Sequence, residues 1–257
     1  DVPHTFPLEH RPLYDVTQGK MTYEHRDETL PDVARLLVRL MAHHPDQKGL
    51  IHCHSYAIQE RLAAQLEEFG VSARIRTHDR ENRDRALEEW KATDAPDVFL
   101  SVKMEEALDL RGDLARWQVL CKAPYLNTND SRVARRLEDG QWGWYYRVAL
   151  RTVIQAAGRV VRAPDDHGAT YLADSSLLDL FDRARHDMPG WFADAVDGMS
   201  RPALPTFDPA AALDGTGATP GTRTGSAGRS RPPPGGAGST GDDSDGDDHP
   251  LSDVWGE

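Results

Sequence analysis

The residues best suited to chemistry stand late in the chain, in Gln155-Ala156-Ala157-Gly158-Arg159-Val160-Val161-Arg162. They close an apolar-periodic segment that runs from Trp142 to Arg162. If helix persists to the end of that segment, Gln155, Arg159 and Arg162 fall at helical steps of four and three and share one face. Gly158 leaves that face uncrowded, so a ligand can approach the backbone. Two guanidiniums and an amide beside a glycine suit a polyphosphate, because arginine carries a fixed fork of donors and a permanent charge. The same residues also make an ordinary solvated helix face. The complete spacing Q-x-x-G-R-x-x-R favours the phosphate.

The elements that must hold this segment read as an alternation of strands and helices. Residues 1–20 are Pro-rich and aperiodic and are expected to form a connecting arm. A helix is expected to start at Thr29-Leu30-Pro31-Asp32, with Pro31 in its first turn and Val33, Leu36, Leu37, Leu40 and Met41 on its apolar stripe. Lys48 to His54 reads as a buried strand. Ser55 then caps a helix whose inner face is Leu62, Leu66 and Phe69 and which stops at Gly70. Further strands are expected at 73–76, 97–102, 117–121 and 169–173, with helices at 82–90 and 175–185. Such βαβ spacing predicts an α/β domain over residues 21–200, a parallel sheet with helices on both faces. From residue 201 to 257, Pro, Gly, Ser, Thr and Asp dominate, and this tail is expected to be disordered.

In open α/β sheets ligands gather at the carboxyl ends of the strands, so three loops matter. The first holds Ser55 and Tyr56, a hydroxyl and an aromatic at a helix start, suited to a nucleic-acid phosphate and a base or sugar. A plain N-cap with a packed tyrosine explains them equally well. The second, Lys103 to Asp113, puts Glu106 and Asp109 beside a turn glycine, where acids can hold a ribose hydroxyl, position water or face the arginines, or form a plain solvated acidic loop. The third, Lys122 to Asp130, mixes Lys122, Tyr125 and two asparagines as a single-strand track would. Arg132, Arg135 and Arg136 follow as a local basic cluster, or as a solvated helix face. His52 and His54 share a strand face, but a metal needs three or four convergent ligands, so no metal site is expected.

Net charge over the 257 residues is −12, of which the segment from 201 onward carries −5. Nucleic-acid binders are usually basic, so any binding must rest on a local track. Only five of the 30 bases are lysine. An acidic, arginine-over-lysine surface fits a salt-loaded cytoplasm, although a GC-rich genome alone exchanges the same residues. No apolar run approaches a membrane span, no signal peptide opens the chain, and two distant cysteines argue for a reducing, cytoplasmic setting. The first residue is Asp, so the chain reads as a fragment or a processed product.

Taken in order, these stretches resemble the XPD/DinG branch of superfamily 2 helicases over about residues 6–195. Phe6 to Pro12 looks like the entry into the second helicase lobe. Gly49 to Tyr56 resembles motif IV, Glu106 to Gly112 motif V, Lys122 to Asn129 the K-x-P-F/Y-P segment, and Gln155 to Arg162 motif VI. Ala107 stands where motif V carries Gly, and Leu126 where Pro is usual. The resemblance implies the second RecA-like lobe of an ATP-dependent DNA helicase, with a repair role among those its family fills. It implies that Arg159 and Arg162 reach the γ-phosphate, Gln155 orients water or phosphate, and Gly158 admits the nucleotide. Glu106 and Asp109 would couple nucleotide state to the strand. Ser55, Tyr56, Lys122 and Tyr125 would grip single-stranded or fork DNA. ATP and Mg²⁺ would be held mainly by an N-terminal RecA-like lobe, since no G-x-x-x-x-G-K-[ST] loop and no D-E-A-H-like box occurs here. The family's iron–sulfur cysteines belong to that first half too. With the composition, the resemblance implies a haloarchaeal source. The alternative is a non-catalytic helicase-like module that binds nucleic acid or protein; a dehydrogenase is disfavoured because no strand is followed by G-x-G-x-x-G.

Overall fold

The structure, a computed structural model, describes residues 6–102, 110, 112–161 and 165–215. Six strands form one all-parallel sheet: β1 (Leu13–Gly19), β2 (Gly49–His52), β3 (Ile75–Arg76), β4 (Val98–Ser101), β5 (Trp117–Leu120) and β6 (Ala169–Asp174). Their order across the sheet is β1-β6-β5-β2-β4-β3. The central strands alternate between two buried faces. Ile51, Val98, Leu100, Trp117, Val119, Tyr171 and Ala173 meet α1 (Arg26–His43) and α2 (Tyr56–Glu68). Leu120 and Leu172 meet α5 (Trp142–Ala157), α6 (Ser176–Arg183) and α7 (Gly190–Asp197), while Leu50 and Phe99 meet α3 (Arg83–Ala92). The short α4 (Ser131–Glu138) leads into α5. This is the parallel sheet covered on both faces that the alternation predicts.

Three expectations need correction. Residues 13–19 are not part of an irregular arm: they are β1, paired with β6 through Leu13↔Thr170 and Asp15↔Leu172. As an edge strand β1 buries only Leu13 and Val16, so its apolar signal is thin. The first helix starts one turn early, at Arg26, and Pro31 lies inside it. The tail does not begin at 201, because residues 201–215 pack onto the domain. Arg39 donates to the carbonyls of Pro205 at 2.7 Å and Leu204 at 3.4 Å, Phe207 meets Phe69 edge-on, and Ala212 and Leu213 are buried against α1. Residues 216–257 lie outside the described residues.

Two buried polar side chains tie these pieces together. Arg74, wholly buried, donates to five main-chain carbonyls: Pro96, Met41, Ala212, His44 and Gln47, at 2.7 to 3.2 Å. Asp174, at the end of β6, accepts from the backbone N–H groups of Met21 (3.0 Å), Ser176 (2.8 Å) and Ala123 (2.8 Å). It therefore joins the loops that follow β1, β5 and β6 at the carboxyl edge of the sheet.

Candidate functional site at the carboxyl edge and the end of α5

β2 and β5 are parallel neighbours, so the loops that leave them emerge side by side. Past β2 the chain reverses at His54, whose φ of 65° lies in the left-handed region that a non-glycine residue adopts at a cost of about 1 kcal/mol. Ser55 is extended and its Oγ accepts from the Ile58 N–H at 3.3 Å, so the hydroxyl caps α2. Tyr56 opens that helix. Its ring stands edge-on to His78 at 5.6 Å with the Arg80 guanidinium 5.5 Å from its centre. Burial pushes the Tyr56 hydroxyl pKa up. His78 is fixed in turn, donating from Nδ1 to the Asp79 carbonyl and accepting at Nε2 from the Val102 N–H.

Past β5 the Asp174 carboxylate pins Ala123 between Lys122 and Tyr125. Lys122 is half-buried. The Tyr125 ring stacks on Tyr145 of α5 at 5.4 Å, nearly parallel, so one of its faces is already covered. Burial between these rings drives the Tyr125 hydroxyl pKa far up. Of the three arginines on α4, Arg135 is paired with Glu138 and Asp139 and Arg132 with Asp130. Arg136 instead lies over the Trp144 ring at 4.5 Å. Next to it, Trp142 packs against Tyr146, and Arg183 lies over Tyr146 at 5.3 Å and donates to its hydroxyl. This exposed aromatic and arginine patch was not anticipated. Its sequence signal is Trp142-Gly143-Trp144-Tyr145-Tyr146 just after the basic cluster.

The other end of α5 differs from the continuous helix expected. The helix stops at Ala157 and Gly158 caps it, so Arg159 does not continue the helical face of Gln155 that was expected to run on to Arg162. Val160 and Val161 are buried with Leu50, Phe99, Trp90 and Leu110, and this apolar pair turns the chain into the core. Gln155 and Gly158 are exposed. Arg159 is 5% exposed and sits beside His52. His52 and Gln118 are wholly buried, with His52 Nε2 3.0 Å from Gln118 Oε1. The Gln118 amide donates to the Ala156 carbonyl at 2.9 Å and to Thr170 Oγ1 at 2.8 Å. With both amide hydrogens so engaged, Gln118 Oε1 must accept from His52 Nε2–H, which sets the tautomer. Burial holds His52 neutral, its pKa lowered to about 4, with the Arg159 charge adding to the shift.

Gly158 is demanded neither by its backbone, with φ of −79°, nor by the described residues around it. Among those residues an added Cβ would meet only the Ile154 and Gln155 carbonyls, at 3.5 and 3.8 Å. Its bare surface therefore faces outward. Glu106, Asp109 and Arg162 lie outside the described residues. Among the described residues no cluster of three His, Cys, Asp or Glu groups is placed to hold a metal, and no helix is long and apolar enough to cross a membrane.

The sequence family described as Helicase C-terminal domain matches residues 37–195, more than half of the chain. The chain belongs to that family. Among curated relatives, this helicase C-terminal domain is 31% identical over 179 residues to the general transcription and DNA repair factor IIH helicase subunit XPD of Dictyostelium discoideum, covering 61% of this chain and 22% of that protein. It is 33% identical over 112 residues to the human regulator of telomere elongation helicase 1, covering 37% of this chain and 9% of that protein. Its fold matches a structure titled Structure of S. tokodaii Xpd4 with a TM-score of 0.53 at 20% identity, covering 75% of this chain and 38% of that one. A structure titled XPD_Helicase matches with the same TM-score of 0.53 at 18% identity, over 68% of this chain and 33% of that chain. The fold is thus the RecA-like parallel sheet of a helicase second lobe. The chain spans under a quarter of the length of these curated relatives.

Proposed function

We propose that this domain is the ATP-responsive second lobe of an XPD-type DNA helicase, working against a nucleotide-binding first lobe. The observation that carries the reading is the turn at the end of α5. It presents an exposed glutamine and an exposed glycine that the packing of the described residues does not require, with the buried Arg159 next in the chain. An outward bare backbone is what a closely approaching phosphate or facing lobe needs.

In this reading Arg159 and Arg162 donate to the γ-phosphate oxygens, where fixed positive charge stabilises the transition state of phosphoryl transfer. Gln155 orients water or phosphate from the last turn of α5. Mg²⁺ would supply further charge neutralisation from the first lobe; no described cluster in this chain fits it. Arg159 is buried in the lobe by itself, so lobe closure has to uncover or re-aim it. Glu106 and Asp109 are assigned to coupling nucleotide state to the strand. The strand itself is assigned to the carboxyl edge. Ser55, Tyr56 and Lys122 contact backbone and bases where the loops after β2 and β5 emerge together, and Tyr125 shapes the floor. The stacked rings and arginines at Trp142, Trp144, Arg136 and Arg183 continue that edge with faces suited to bases and charges suited to phosphate.

The test is ATP hydrolysis stimulated by single-stranded DNA in molar KCl, by this chain alone and mixed with a separately made first lobe. Turnover only on mixing, abolished by Arg162→Ala, is expected. Turnover by the chain alone would mean a nucleotide site elsewhere. No turnover on mixing, with strand binding intact, would favour a binding module, a reading to which the buried Arg159 lends some weight.

A further inference from the structure

A polar row, His52, Gln118 and Thr170, lies buried beneath the end of α5. β2, β5 and β6 are central, and the next positions on this side, Leu50, Leu120 and Leu172, are apolar, with the Asp174 carboxylate following Leu172 at the carboxyl edge. Burying an imidazole, an amide and a hydroxyl there brings a desolvation cost that leucines would avoid. What the row achieves is a fixed point. The Ala156 carbonyl that accepts from Gln118 Nε2 at 2.9 Å also accepts the Arg159 backbone N–H at 3.0 Å. Gln118 thus holds, from the sheet, the very group that closes the turn carrying Arg159. Gln118 cannot rotate away, because Thr170 Oγ1 takes its second hydrogen and His52 Nε2–H holds its oxygen.

We propose that Gln118, oriented by His52 and Thr170, is a positioning residue for Arg159, fixing where α5 ends and the direction in which the arginine leaves it. The proposal rests on the assignment of Arg159 to the phosphate. It adds a sheet residue, distant in sequence from the arginine motif, to the machinery. His52 acts one step further back: as a neutral Nε2–H donor it keeps the Gln118 amide turned toward Ala156.

The experiment separates positioning from folding. A Gln118→Ala chain alone would leave His52 and Thr170 without partners and is prone to misfold. The informative variant is therefore His52→Phe, Gln118→Met and Thr170→Val together, which removes every partner of the row at once and leaves no orphan. In the chain alone, amide hydrogen exchange of Arg159 is measured beside that of Leu40 in α1. The expected result is faster exchange at Arg159 by roughly five- to tenfold, the weight of one hydrogen bond, with Leu40 unchanged. Unchanged protection at Arg159 overturns the proposal. With the first lobe added, kcat for ATP should fall about tenfold or more with little change in KM. Equal kcat in variant and parent overturns positioning even if the amide exchanges faster. Arg159→Ala run in parallel keeps the two ideas apart. If that variant retains full turnover, the arginine assignment itself fails, whatever Gln118 does.

Discussion

Replacing Asp174 with Asn should loosen the carboxyl edge without touching any group assigned to the strand. The carboxylate Oδ1 accepts from Met21 N–H and Ser176 N–H, and Oδ2 accepts from Ala123 N–H at 2.8 Å. In Asn one oxygen survives and can keep the first two bonds. The new NH₂ then faces the Ala123 N–H, donor against donor. Loss of one hydrogen bond to a buried charge costs about 1.5–3 kcal/mol, and the unpaired N–H adds to it, so the expected loss is about 2–4 kcal/mol. With a urea slope near 2 kcal/mol/M, the unfolding midpoint should drop by about 1–2 M. The buried Trp90 and Trp117 report the transition by fluorescence. Because Ala123 lies between Lys122 and Tyr125, affinity for a labelled single strand should fall as well, in urea-free buffer where the variant remains folded. A midpoint within 0.3 M (about 0.6 kcal/mol at that slope) of the parent would refute the hub. A lower midpoint with unchanged strand affinity would refute the link between Asp174 and the track.

Arg74→Met should cost about 3–5 kcal/mol, because five main-chain carbonyls, three of them in buried bonds, lose a shared cation and the apolar replacement cannot serve them. Limited proteolysis should then cut within residues 201–215 first, since Ala212 is one of those five acceptors; a cleavage pattern like the parent's would count against this. Stability should also fall in mild acid. His44, bound to Gln47 and Tyr171, and His52 both titrate near 4 in the fold, lowered first of all by burial. Unfolded, they titrate near 6.5, so between about pH 6.5 and 4 the unfolded chain takes up protons that the folded chain refuses. Stability is thus full above pH 6.5 and declines toward pH 4, by up to about 3 kcal/mol for each histidine. His44→Gln with His52→Gln should flatten urea midpoints measured between pH 7 and pH 4.5; an unchanged slope would show that other groups govern it.

The four inner strands were legible because runs such as Leu50-Ile51, Val98-Phe99-Leu100 and Val119-Leu120 are short and apolar between helical patterns, the mark of strands buried on both faces, whereas the strand expected at 73–76 is only Ile75–Arg76 at the sheet edge, after a 3-10 turn at Ser72–Arg74. β1 was not, since an edge strand shows water one side and Asp15, Thr17 and Gln18 break its run. Pro31 misled because one proline six residues into a helix forfeits a single bond while Leu30, Val33 and Leu37 bury the stripe around it. Among the site residues, the Ser55 cap could be read from residue type and position. The burial of Arg159 could not. It follows from Val160 and Val161 entering the core formed with Leu50 and Phe99, a tertiary pairing with no local signal. The same holds for Gln118, which in a strand reads only as an interruption of apolar residues until its three partners are seen.

The limits of the family match, 37 and 195, are not limits of the folding unit. The lower one falls inside α1, whose stripe from Leu30 to Met41 is one continuous buried face. β6 would lose β1 and expose the backbone groups that now pair along Leu13 to Asp15, an open edge that invites association with other chains. β1 is covered in its turn by the segment after α7: Ser200 accepts the Asp15 N–H at 3.0 Å, and Arg201 pairs with the Asp15 carboxylate at 2.9 Å. The next eleven residues run over α1 to deliver Ala212 to Arg74. The two flanks therefore close one structure, with the first strand guarding the sheet and the segment after α7 guarding that strand. In the function proposed above, such a lobe swings against its partner without shedding its edge strand because it is bound on both flanks in this way.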